Sequence, residues 1–283
     1  MKIAGIGDNV IDRYVNLGIM FPGGNAVNVA AHAAKLGADS AYIGSIGADR
    51  EGEIIKHALE SLKVDLSQCI FEKDSTTKKC DVNVFDEERE FLGIDVGAKW
   101  AHTTVITESD LEYLKNFNVI HTSCNAKLHE EIYKLAVLDA IVTFDFSVKD
   151  KYRTEEFLKM TCPYLELGQF SCDHMEEDEI KAFAKEVYGY GCKNVLATMG
   201  SKGQLFYNGE TFTKGRIYPV EAVDTLGAGD SFLAAFIISL LRSDWKKGVV
   251  LKEEVIINAM DFAAKYSAEN CLAEGGFGFK ETI

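Results

Sequence analysis

The residues best suited to chemistry lie in the string DTLGAGDSF at 224–232. Gly227, Ala228 and Gly229 carry almost no side chain, and the apolar run FLAAFIISLL behind them predicts a helix over 229–241. Backbone N–H groups at a helix start can point at an anion, and the helix dipole adds partial positive charge there. Asp230 falls in the first turn, beside that anion hole. A carboxylate so placed can take a hydroxyl proton as the oxygen attacks a γ-phosphate, while the amides hold charge building on the phosphoryl oxygens. The competing role is structural, since Asp commonly caps a helix and complements its dipole. The string is not a Walker P-loop, because no GK[ST] follows it.

Such residues need a scaffold, and apolar β-rich runs alternate with amphipathic stretches along most of the chain. Strands are predicted over 2–7, 41–46, 119–121, 140–146, 164–167 and 194–199. Helices are predicted over 26–36, 51–62, 128–138, 155–160, 176–188 and 253–271, the first ending at Gly37. This order implies an α/β fold of three layers, a mostly parallel sheet covered on both faces. The segment 78–95 breaks the alternation with two β-like runs around a polar turn at 86–89, and reads as a hairpin. With a strand from 12–20 it would form a small β lid (about 12–20 and 78–100) on a single domain spanning 1–283. The Gly-rich stretch GGFGFKETI is expected to be irregular.

Composition narrows the function. A hydrophobic fraction of 47% with 26% charged residues is that of a soluble globular protein. The net charge of −14 repels a phosphate backbone and argues against nucleic acid as a partner. Seven scattered cysteines without a CxxC pair indicate reduced thiols. The opening MKIAGIGDNV lacks a signal-peptide pattern, and no apolar run approaches the roughly 20 residues of a membrane span. A cytoplasmic protein with no membrane partner is expected.

DTLGAGDSF resembles the C-terminal signature DTxGAGDxF of the PfkB/ribokinase carbohydrate kinases. The resemblance implies a ribokinase-like fold, ATP as phosphoryl donor with Mg²⁺, Asp230 as catalytic base and Gly227, Ala228 and Gly229 as the anion hole. GGNAVN at 23–28 is similar to the family's first signature and implies that Gly24 and Asn28 contact the sugar. Asn28 offers both a donor and an acceptor to hydroxyls. GDNVID at 7–12 resembles the segment that supplies a sugar-binding carboxylate; Asp12 sits at the matching position and Asp8 competes with it. TMGSKG at 198–203 is similar to the nucleotide loop TLGxxG, implicating Thr198, Gly200 and Gly203, whose glycines permit a tight turn.

Two motifs depart from the pattern. DFSVK at 145–149 stands where many relatives have DxNxR: Asp145 and Lys149 keep their charges, and Ser147 replaces Asn. Lys149 would meet a phosphate as a point charge, without the arginine fork. The Mg²⁺-organising NxxE element should lie near 171–177, but SCDHMEE lacks the Asn, leaving Glu176 or Glu177 to act on the metal, with Asp145 a further candidate. Cys172, Asp173 and His174 are too close in sequence to converge on zinc. Asp224 and the backbone of Leu226 match the ligands of a K⁺ ion in relatives. Lid strands pair between subunits in this family, which implies a homodimer, and an exposed hairpin edge gives a physical reason.

Within the family, GDNVIDRY, FPGGNAVNVA, FDFS and DTLGAGDSF look most like the fructoselysine 6-kinases. Asp86, Glu87, Glu88, Glu90 and Asp95, set against Arg89 and Lys99, would give the lid an acidic rim suited to a substrate with ammonium groups. The alternatives are a fructokinase or ribokinase acting on a free sugar, and a sugar-binding regulator without catalysis.

Overall fold

Alternate residues of the first strand, β1 (Lys2–Ile6), serve different cores. Ile3 packs into one apolar cluster, while Ala4 and Ile6 join another on the opposite face. This period of two, with both faces apolar, marks a strand buried between two helical layers. The computed structural model describes residues 1–85, 88–97 and 104–283.

After β1 come β2 (Val10–Tyr14), β3 (Ile19–Gly23), helix α1 (Asn25–Lys35), β4 (Asp39–Ile43) and β5 (Ser45–Gly47). Helix α2 (Arg50–Ser61), β6 (Ile70–Glu72), β7 (Lys79–Phe85), β8 (Glu88–Asp95) and α3 (Glu108–Leu114) follow. Next are β9 (Val119–Ser123), α4 (Ile132–Leu135), β10 (Ile141–Asp145), α5 (Glu155–Thr161), β11 (Leu167–Ser171) and α6 (Glu177–Gly189). The last elements are β12 (Val195–Thr198), β13 (Gln204–Tyr207), β14 (Phe212–Lys214), α7 (Ala228–Arg242), α8 (Glu253–Asn270) and β15 (Glu281–Thr282).

Eight strands form the main sheet in the order β14-β13-β12-β11-β10-β9-β1-β4. Strands β12 through β4 in that order run parallel, and β13 is antiparallel to both its neighbours. Helix α7 is apolar nearly all round, buries Phe232 through Ile238, and packs with α1 and α8 on one face. A helix of that kind belongs in an interior. The other face carries the cluster that includes Leu114, Ile132, Leu158, Ile180 and Val187. The expected α/β architecture with a mostly parallel sheet is what the chain forms. A second sheet has the order β15-β3-β2-β7-β8, with β2 and β7 parallel and the other pairs antiparallel.

Five expectations need adjusting. The lid strand read over 12–20 is two strands, β2 and β3, joined by a 3-10 turn at Val15–Leu17, and the strand read over 41–46 divides at Gly44 into β4 and β5. The helix read over 128–138 shortens to α4, four residues entered by turns. The strand read over 164–167 begins only at Leu167, because Cys162–Tyr164, with Pro163 in its first positions, makes a 3-10 turn. The stretch 275–283 is not wholly irregular, since β15 pairs with β3.

Candidate active site

Parallel strands deliver their C-terminal ends to one edge of a sheet, and two helix starts meet there. Gly5 brings the first of them close: a Cβ on it would sit 2.2 Å from the carbonyl oxygen of Ala26. Gly24 caps α1 at φ 111°, and a Cβ there would stand 2.7 Å from the Asp8 carbonyl oxygen. Gly227 caps α7 in the left-handed region, at φ 70°. The first backbone bond inside α7 runs from Ser231 N–H to Gly227 C=O at 2.8 Å. The N–H groups of Gly227, Ala228, Gly229 and Asp230 therefore lie ahead of the helical ladder. That of Ala228 donates to Thr225 O at 3.2 Å.

Asp230 is 7% exposed and faces the start of α1. Its carboxylate accepts from Asn28 Nδ2 at 2.7 Å and from Asn25 Nδ2 at 3.0 Å. Asn25 Nδ2 also donates to Asp145 Oδ2 at 2.8 Å, so one carboxamide holds two carboxylates together. Asn125 Nδ2 donates to Asn25 Oδ1, and Lys149 Nζ donates to Asn125 Oδ1, both at 2.8 Å. Asp145 Oδ1 accepts from Ser147 N–H. Asp8 accepts from Ser123 Oγ at 3.4 Å and lies 3.9 Å from Lys78 Nζ.

Burial pushes the Asp230 carboxyl up to about 7, helped by the charge on Asp145 and opposed by the two Asn donors. Burial likewise raises Asp145 to about 6, against the pull of the Ser147 N–H. Asp8 is raised by burial too, with the Lys78 charge opposing; Lys78 is lowered by its own burial. The arrangement sets a carboxylate raised to about 7 beside the first amides of α7, which suits proton abstraction coupled to anion transfer. Asn28 Oδ1 is buried with no donor among the described residues. Asp12, on β2, shares that spot: a Cβ on Gly23 would stand 3.0 Å from Asp12 Oδ2 and 3.7 Å from Asn28 Oδ1. Acceptors bordering one glycine suit the hydroxyls of a polyol.

The sequence model of the pfkB family carbohydrate kinases matches residues 14–150 and 160–280. The chain belongs to that family. This kinase is 31% identical over 283 residues to the fructosamine kinase FrlD of Bacillus subtilis, covering 99% of this chain and 94% of that protein. It is 28% identical to the fructoselysine 6-kinase of Escherichia coli, over 89% of this chain and 92% of the relative. The structure of Arabidopsis thaliana ribokinase complexed with ribose and ATP superposes with a TM-score of 0.79 at 20% identity, covering 98% of this chain and 94% of that one. The chain is a sugar kinase with a ribokinase-like fold.

Other residues singled out in the sequence fall at different distances from this centre. In the kinase, Thr198 ends β12, and Gly200 and Gly203 turn the chain at φ 54° and 98° into β13. Asp224 is pinned by the N–H groups of Leu226 (2.9 Å) and Gly275 (3.0 Å) and by the Tyr14 hydroxyl (2.8 Å). Glu176 is exposed and forms a capping box with Glu179 at the start of α6. Glu177 bridges Lys181 and Lys214, which hold its carboxyl down at about 2. Neither glutamate is joined by a hydrogen bond or ion pair to the Asp8–Asp145–Asp230 group among the described residues. Asp86, Glu87 and Lys99, with the side chains of Glu88 and Arg89, lie outside the described residues, while Glu90 and Asp95 are exposed.

The sequence reading missed Asn25, Asn125, Lys78 and Gln169. Asn25 sits inside the GGNAVN string and was within reach of it. Gln169 Nε2 donates to Gly229 O at 3.4 Å beneath the anion hole, a contact between residues 60 positions apart that no local pattern announces.

Proposed function

We propose that this kinase transfers the γ-phosphate of ATP to the 6-hydroxyl of fructoselysine, a fructose joined through C1 to the ε-amine of lysine. The observation that carries the reaction is the Asp230 carboxylate, buried at the opening of α7 and held by Asn25 and Asn28 with its pKa near 7. The substrate follows the names of the two relatives given above. Asp12, Gly24 and Asn28 bind the sugar hydroxyls and set the acceptor oxygen against Asp230. Asp230 takes the hydroxyl proton as that oxygen forms its bond to the γ-phosphorus and the bond to the departing ADP oxygen breaks. The amides of Gly227, Ala228 and Gly229 hold the charge that spreads over the equatorial oxygens.

Thr198, Gly200, Gly203 and Lys149 serve the nucleotide phosphates. Mg²⁺ neutralises those phosphates when bound. Asp145, buried beside Asp230, fits the metal as a partner of its water shell, which Mg²⁺ gives up reluctantly; Glu176, in the capping box of α6, and Glu177, bridged to Lys181 and Lys214, would reach it only through further water. Asp224 and the backbone of Leu226 would hold K⁺ beside the anion hole: Asp224 is a buried carboxylate fixed there by the N–H groups of Leu226 and Gly275 and by the Tyr14 hydroxyl. The second sheet acts as a lid on the single domain, and its strand β8 exposes Phe91, Leu92 and Ile94, an apolar face that favours a homodimer through the lid. Seven free cysteines accord with the cytoplasm.

The test is ADP release with Mg-ATP against fructoselysine, fructose and ribose. A kcat/KM for fructoselysine at least tenfold above that for fructose is expected; equal values would sink the substrate assignment and leave the kinase.

A further inference from the structure

A cavity of about 590 Å³ opens beside the reaction centre. One end is formed by Asp8, Lys78 and Asn125, and Asn125 reaches Asp230 through a single side chain, Asn25. Asp12, Gly24, Asn28 and Asp230 do not line it, so the space is additional to the sugar position. Its size falls within the range of small-molecule sites.

The lining has the layout of a long substrate tail. Ile46 and Ile106 are buried walls, whereas Ile70 and Val105 are 58% and 64% exposed at the same cavity. Branched apolar side chains left open on a concave polar surface are the kind of area that a ligand covers. Charges of both signs surround them: Glu72 at the end of β6, Asp110 in the first turn of α3, and Lys127, held in the left-handed region at φ 52°. An aliphatic stem ending in an ammonium and a carboxylate is complementary to that set.

We infer that this cavity is the compartment for an amino acid carried on C1 of the sugar. Its methylenes lie along Ile70 and Val105, its α-ammonium faces Glu72 and Asp110, and its α-carboxylate faces Lys127. The inference rests on the fructosamine reading above and goes further by assigning the residues that recognise the part of the substrate that is not sugar. Selectivity for the conjugate then arises outside the sugar position, as binding energy used to place the acceptor hydroxyl.

The experiment compares kcat/KM for fructoselysine, fructosyl-n-butylamine and fructose in wild type, Gln68→Trp, Asp110→Asn and Lys127→Met. Gln68 lines the cavity and is half-buried, so the indole fills the space from its wall. Gln68→Trp is expected to lower the ratio for fructoselysine over fructose at least tenfold. Asp110→Asn and Lys127→Met are expected to lower it three- to tenfold while shifting the ratio for the butylamine conjugate, which lacks the α-ammonium and α-carboxylate, less than twofold. Melting temperatures check folding, and the two charge variants decide the matter if the tryptophan variant does not fold. A wild type that prefers fructoselysine, with ratios unmoved in the folded variants, overturns the compartment alone. A wild type without that preference overturns the fructosamine reading and the compartment together.

Discussion

Asp230→Asn should make the enzyme more stable at alkaline pH while removing its activity. The Asp230 carboxyl moves from an ordinary 3.8 to about 7 on folding, chiefly by burial. At roughly 1.4 kcal/mol per pH unit, an ionised Asp230 destabilises the fold by about 4 kcal/mol above pH 7. The sign follows from the raised value: between pH 4 and 7 the unfolded chain has released this proton and the folded chain has not, so stability falls as pH rises through that window. Asparagine has no such loss. It accepts from only one of Asn25 and Asn28, however, and setting its own NH₂ against the other costs about 1–2 kcal/mol. The variant should therefore be about 2–3 kcal/mol more stable at pH 8, a rise of roughly 5 °C in melting temperature. By pH 4 it should lose that advantage. Urea unfolding of both proteins at pH 8 and pH 4 measures the difference, and the ADP-release assay measures turnover. A variant no more stable than wild type at pH 8 would refute the claim that the buried charge is costly. Turnover above about a tenth of wild type would refute the role as base.

Asn25→Ala should raise the apparent pKa on the acidic limb of kcat/KM from near 7 by about one unit, because a donor that favours the ionised carboxylate is gone. The loss should be larger at pH 6.5 than at pH 8.5, and equal losses at both would reduce Asn25 to a packing role. Gly227→Ala puts a methyl 2.9 Å from Gly276 Cα and O at φ 70°. It should cost about 2–4 kcal/mol of stability and lower kcat together with it, read by melting temperature and turnover.

The chemistry of DTLGAGDSF was legible because it is local. A glycine that turns left-handed, small residues that leave amides bare and an Asp in the first helical turn all belong to one short segment. The main sheet was legible for a similar reason, since strands with two apolar faces alternate with long amphipathic helices. What escaped was created by tertiary pairing. Lys78 lay in a predicted hairpin, but its burial beside Asp8 depends on β7 adding parallel to β2. Asn25 is a polar residue at a helix start until β10 brings Asp145 to it. The strands β13 and β14, four and three residues long, were too short to show a period.

The segment 275–282 reaches back to the earliest strands: Glu281 and Thr282 pair with Met20 and Ile19, Gly275 packs on Phe21, and the Gly276 carbonyl accepts from His32 Nε2. On a ribosome the N-terminal part of a chain emerges first. Here Met20 and Phe21 meet early neighbours such as Ile11 and Tyr14, but the last part of their cover arrives only after more than 250 further residues have been made. Contacts of such sequence separation form late and slowly. Enzymatic activity should consequently return after helical signal when the denatured kinase is diluted from urea, and the nascent chain is an apt client for a chaperone that shields apolar strands.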